Sequence, residues 1–133
     1  ILEGLAYELK LGFDTIEKRT GKPIKHLRVS GGGSQSDSAM QLTADIFGMP
    51  AYRPHTYEAS GLGAAINCAV GLGVYPDHLT ATQAMTHLGD EFLPIDANVQ
   101  LYKRLYNEVY LKMYERLQPL YHSIQDITGY PAK

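Results

Sequence analysis

Three consecutive glycines constrain this chain more than any other stretch. Gly31-Gly32-Gly33 stands between a β-like run, Leu27 to Ser30, and a polar segment, Ser34-Gln35-Ser36-Asp37, that reads as the first turn of a helix. Glycine lacks a Cβ, so backbone there can bend sharply and lie against a ligand. A helix start offers unpaired N–H groups and a partial positive charge, which suits phosphate. Taken alone, the same residues make an equally good strand-to-helix turn with no ligand at all. The spacing is neither G-x-G-x-x-G nor G-x-x-x-x-G-K-[ST], which excludes a dinucleotide fingerprint and a Walker A loop.

The flanking segments place this turn in an α/β unit. Residues 1 to about 19 carry Leu2, Leu5, Ala6, Leu9, Phe13 and Ile16 at spacings of three and four, which predicts a helix with one apolar stripe. Gly21 and Pro23 stop it. After the glycines a helix is expected from about Ser36 to Phe47, capped by Ser34 or Ser36 and ended by Gly48. Pro50 to Pro54 reads as an edge strand, because proline cannot donate to a ladder. A helix follows from about Glu58 to Leu72, unusually rich in Gly and Ala, as if another backbone or a ligand came close to it. Glu58 is expected to serve its N-terminus. Thr80-Ala81-Thr82-Gln83 has a capping-box pattern and Gly89 is read as the stop of that short helix. Glu91 to Ile95 is extended. Asp96 then starts a long helix that Pro119 is expected to kink or interrupt.

Composition narrows the functional classes. At 133 residues and 44% hydrophobic, the chain is one domain's worth with enough apolar content for a core. A formal net charge of −2 provides no basic field for nucleic acid. The single cysteine, Cys68, rules out an internal disulfide, in keeping with a cytoplasmic setting. No stretch has the length and apolarity of a membrane span, and the amino end does not read as a signal peptide. It lacks an initiator Met and reads as the inside of a helix, so an upstream part is expected to be missing.

Little else carries chemistry by spacing. The histidines, His26, His55, His78, His87 and His122, show no metal-ligand spacing, and no metal site is expected. Cys68 is read as a buried, inert thiol. Tyr102, Tyr106, Tyr110 and Tyr114 recur every fourth residue. They suit a packing face, or else a stacking platform or protein-binding surface. Gln41 and Asp45, one helical turn apart, suit either support of a site or a hydrogen-bonded polar face. No general base and no acidic pair for Mg²⁺ emerges, so no catalytic residue is assigned.

The ordered blocks Val29-Ser30-Gly31-Gly32-Gly33-Ser34-Gln35-Ser36, Gln41-x-x-Ala44-Asp45-Ile46-x-Gly48-x-Pro50, Arg53-Pro54 and Glu58-Ala59-Ser60-x-Leu62-Gly63-Ala64-Ala65 resemble the carboxy-terminal domain of the FGGY carbohydrate kinases. The tail, with Tyr75-Pro76-Asp77 and Phe92-x-Pro94, is most similar to the xylulokinase-like branch. The resemblance implies an actin-like, ribonuclease-H-like ATPase fold, incomplete relative to the two-domain enzyme and extended by a helical tail. It implies that residues 1–133 are the nucleotide-binding domain, with the sugar-binding, amino-terminal domain as partner. The ATP-binding set it gives is Gly31, Gly32, Gly33, Gln35 and Ser36. Mg²⁺ is expected on the phosphates and the other domain, which also carries the catalytic aspartate. The implied whole enzyme transfers the γ-phosphate of ATP to a sugar hydroxyl, a pentulose such as xylulose first. The fragment alone is expected to be inactive. The rival reading is a non-catalytic nucleotide sensor or assembly module on the same fold. Oligomerisation is left open.

Overall fold

A computed structural model describes residues 1–130. The chain divides into two units, Ile1–Val99 and the segment from Gln100 onward.

The first unit opens with α1 (Leu2–Thr20), closed by Gly21 in the left-handed conformation, as its stop signal predicts. Then come β1 (Leu27–Arg28), a 3₁₀ turn (Gly32–Gln35) and α2 (Asp37–Phe47). Next are β2 (Ala51–Pro54), α3 (Ala59–Gly71), α4 (His78–Met85) and β3 (Leu88–Phe92). α5 (Asp96–Leu105) begins within this unit. In the second unit a π-helical turn (Tyr106–Tyr110) leads into α6 (Leu111–Thr128).

The sheet is small and mixed. β2 is its middle strand, parallel to β1 and antiparallel to β3, so the expectation of an edge strand is wrong. Pro50 precedes the strand and Pro54 is its last residue, which leaves Ala51, Tyr52 and Arg53 with amides to donate. The β2–β3 register moves two residues from Tyr52 to Pro54 and three from Glu91 to Leu88, so β3 carries one extra residue opposite Arg53. That bulge holds Gly89 and Asp90. Gly89 is therefore not a helix stop. A Cβ on it would sit 2.7 Å from the Arg53 carbonyl oxygen, so only glycine permits this close approach of strands.

The core sits where α2 crosses the sheet. Met40 and Ala44 are buried against Ala51, with Leu27, Val29 and Phe92 packed around them. α1 packs against α2, where Phe13 meets Phe47 edge-on at 5.4 Å. Its buried residues are Ala6, Tyr7 and Phe13, whereas Leu2, Leu5, Leu9 and Ile16 are exposed. The predicted apolar stripe thus faces outward for most of its length. Leu2, Leu5 and Leu9 line a groove of about 180 Å³ together with Val29 and Met40.

The connection after β3 is secured by Asp45, 2% exposed. Its carboxylate accepts from Gln41 Nε2 at 3.0 Å, the Ile95 amide at 2.8 Å and Asn98 Nδ2 at 2.7 Å. Gln41 Nε2 also donates to the Leu93 carbonyl at 2.8 Å. The hydrogen-bonded reading of this pair is the one the structure bears out.

α4 starts two residues before Thr80, with Asp77 as its cap. Asp77 Oδ1 accepts the Thr80 amide at 2.7 Å, and the hydrogen bonds from Thr80 hold the carboxyl below its ordinary pKa. In the second unit Tyr106 is buried and stacks on Tyr110 at 5.9 Å, while Tyr114 is exposed. The helix passes through Pro119, and the irregular turn lies upstream at residues 106–110. Of the two outcomes expected at Pro119, a kink or an interruption, the structure excludes the interruption.

Candidate functional site: the glycine turn

The glycine turn leaves β1 at the point where the sheet ends and α2 begins. Gly31 has φ 93° and ψ 177°, backbone accessible essentially only to glycine. Its N–H donates to the Tyr57 carbonyl at 3.1 Å, which brings the approach to α3 beside the turn. Its carbonyl accepts both the Ser34 amide at 3.0 Å and Ser34 Oγ at 2.7 Å. Ser34 is buried, so it points into the fold and closes the turn from below.

Gly32 and Gly33 differ from Gly31. Both are exposed, and neither has positive φ. A Cβ built on either would meet nothing within 4 Å. Their amides open the 3₁₀ turn, where a helical acceptor does not exist. Gln35 is exposed at the end of the turn. Ser36 caps α2, its Oγ accepting the Ala39 amide at 3.3 Å. That settles the choice between Ser34 and Ser36 as the cap. The five residues of the predicted ATP-binding set therefore form one continuous rim, exposed except at the half-buried Gly31, and Ser34 is the inward support.

One group essential to this geometry has no spacing signal in the sequence. Arg53, on β2, donates from one guanidinium nitrogen to the carbonyls of Ser34 at 3.0 Å and Gln35 at 3.2 Å. The other terminal nitrogen reaches Asp37 at 2.8 Å and Asp90 at 2.6 Å. The hydrogen bonds it donates to Asp37, then to Asp90, raise its pKa further above the ordinary arginine value, so the charge is permanent. Asp37 thus serves Arg53 as well as the first turn of α2.

The other candidates separate from this rim. Glu58 sits at the N-cap of α3 but makes no side-chain capping bond. α3 has no buried residue, and Cys68 is exposed rather than buried. The reason is that the small-residue face of α3 is left uncovered within this unit. His55 Nδ1 accepts the His87 amide at 3.1 Å, and His78 Nε2 lies 3.1 Å from Asn67 Oδ1, so these rings serve local structure. Among the described residues no group of three or more His, Cys, Asp or Glu side chains is placed to hold a metal ion. No helix among them is long and apolar enough to cross a membrane.

The glycine turn is thus an open rim at the end of the first strand of a small mixed sheet backed by helices. Residues 1–72 match the FGGY family of carbohydrate kinases, C-terminal domain, and the chain belongs to that family. It is 45% identical over 102 residues to the uncharacterized sugar kinase YgcE of Escherichia coli, covering 77% of this chain and 21% of that protein. It is 31% identical over 125 residues to the xylulose kinase of Lactococcus lactis, covering 93% of this chain and 25% of that one. The gluconate kinase of Lactobacillus acidophilus superposes with a TM-score of 0.74 at 24% identity, over 88% of this chain and 23% of that structure. The fold is accordingly the actin-like ATPase fold, represented here by part of a domain. The chain spans about a quarter or less of the length of these relatives.

Proposed function

We propose that this chain, residues 1–133, is the nucleotide-binding, carboxy-terminal part of a carbohydrate kinase, and that Gly31, Gly32, Gly33, Gln35 and Ser36 form its ATP-contacting rim. The observation that carries the reading is the contrast within the triplet. Gly31 is glycine because its backbone requires it. Gly32 and Gly33 have ordinary φ and open space above them. Glycine in a helical turn costs about 1 kcal/mol relative to alanine. Close approach of a flat ligand accounts for accepting that cost twice.

In this reading the backbone of Gly32 and Gly33 lies against the nucleotide, Ser36 reaches it with its hydroxyl, and Gln35 faces the base or ribose. ATP supplies the transferable phosphoryl group, and Mg²⁺ arrives on its phosphates. This chain's residues bind and orient the nucleotide. The proton of the sugar hydroxyl is taken by a carboxylate elsewhere in the polypeptide. Two observations support a larger enzyme: the share of its relatives that the chain spans, and the outward apolar row Leu2, Leu5, Leu9 and Ile16. The row suits packing against further elements of the kinase.

The substrate class is a sugar or polyol, with a pentulose such as xylulose first, from the likeness of the tail to the xylulokinase-like branch. The test is ATP-dependent phosphorylation by the full-length polypeptide across pentuloses, polyols and aldonates. Turnover on one of them is expected. ATP binding without turnover on any would favour a nucleotide sensor.

A further inference from the structure

We propose that Arg53 is a positioning residue of the nucleotide site, acting through the backbone of the glycine turn. The inference rests on the reading of that turn given above. Arg53 carries a full charge yet its side chain is only 18% exposed, because its planar fork is enclosed by partners. One nitrogen takes the carbonyls of Ser34 and Gln35, which are the last two residues of the 3₁₀ turn. The other terminal nitrogen takes Asp37 on α2 and Asp90 on β3, and Nε also reaches Asp90, at 3.2 Å. The ring of Phe92 lies beneath the guanidinium at 5.2 Å. A single side chain therefore ties the end of the turn, the start of α2 and the bulge of β3 to β2.

This arrangement fixes peptide planes. In a trans peptide the C=O and the following N–H point in opposite directions. Drawing the Ser34 and Gln35 carbonyls toward Arg53 sets the orientation of both peptides that close the turn. The rim is then held in one shape before the nucleotide arrives, which lowers the ordering cost of binding. The charge is already matched by two carboxylates, so Arg53 acts as a frame and not as the ligand of a phosphate. The bulge explains how Asp90 comes to be there: one extra residue in β3 re-aims its carboxylate at Arg53. Gly89 permits that bulge, since any larger residue would meet the Arg53 carbonyl.

The experiment uses the full-length kinase with Arg53→Met, Arg53→Lys and Asp90→Asn, and Gly32→Val as the control for the turn itself. ADP affinity is read by calorimetry, and KM for ATP, KM for the sugar and kcat by steady-state assay. Arg53→Met is expected to weaken ADP and raise KM for ATP about tenfold, the scale of a lost charge-assisted hydrogen bond. KM for the sugar and kcat at saturating ATP should hold. Arg53→Lys keeps the charge and the aliphatic stem but not the fork, so it and Asp90→Asn should give smaller losses in the same direction. These two keep the test decisive if Arg53→Met fails to fold. Loss of affinity in Gly32→Val but in none of the Arg53 or Asp90 variants would overturn the role of Arg53 alone. Unchanged affinity in Gly32→Val as well would remove the turn from the nucleotide site and Arg53 with it. An equal rise in both KM values would mark Arg53 as structural only and overturn the inference.

Discussion

Replacing Gly32 with alanine should stabilise the protein and weaken its nucleotide binding at the same time. Gly32 has ordinary φ, and a Cβ there meets nothing within 4 Å, so the folded state accepts the methyl without strain. The unfolded chain loses freedom, which favours folding by about 0.4–1 kcal/mol. With nucleotide against the rim, the same methyl occupies ligand space, and overpacking of this kind costs about 1–3 kcal/mol, a loss of roughly 5- to 150-fold in affinity. Gly31→Ala gives the contrasting result. At φ 93° the alanine is strained whatever the space, so this variant should lose stability, by about 1–3 kcal/mol. The assay is thermal unfolding without ligand and ADP calorimetry on the full-length wild type and both variants. A Gly32→Ala protein of raised Tm and full ADP affinity would refute the argument, because nothing would then approach the rim.

Three further outcomes are expected. Asp45→Ala leaves the Ile95 amide and the Gln41 and Asn98 amides without their buried acceptor, which should cost about 2–4 kcal/mol in unfolding free energy and show as a lowered Tm. Gly89→Ala drives a methyl into the Arg53 and Pro54 carbonyls, so it should lower stability by about 1–3 kcal/mol, read by thermal unfolding. Asp77 is held below its ordinary pKa by Thr80, so its capping of α4 is fully present above the unfolded aspartate's pKa and is lost as pH falls through the lowered folded value. The protection of the α4 amides, relative to their intrinsic exchange rate at each pH, should therefore fall in acid, and Asp77→Ala should remove that pH dependence.

The glycine helix stops and the cap of α2 were legible in the sequence; the cap of α4, the continuation through Pro119 and the strand order were not. Gly21 and Gly48 end their helices in the left-handed conformation because a C′ stop is decided within one turn of chain. Ser36 caps α2 for the same reason. Strand order is different: whether β2 is central depends on β3, which pairs with it from more than thirty residues away. Two prolines suggested an edge, yet they bracket the strand and leave its ladder intact. Gly89 looked like a helix stop because its neighbour across the sheet cannot be read from its own surroundings. The stripe on α1 was real as a pattern, but a pattern does not say what covers it: of its members Ala6 and Phe13 are buried, Phe13 against Phe47 of α2, while Leu2, Leu5, Leu9 and Ile16 are exposed. At the site, the rim was visible as glycines, whereas Arg53 appeared only as part of a block. Its importance lies in four partners brought together by the fold.

The central claim is that the rim Gly31 to Ser36 lies against ATP, and amide hydrogen exchange of the full-length kinase tests it most directly. With a saturating non-hydrolysable ATP analogue and Mg²⁺, the amides of Gly32, Gly33 and Gln35 should slow relative to the free enzyme, while the Asp45 connection, already bonded without ligand, stays as it was. Protection elsewhere in the protein with none at the rim would contradict the account.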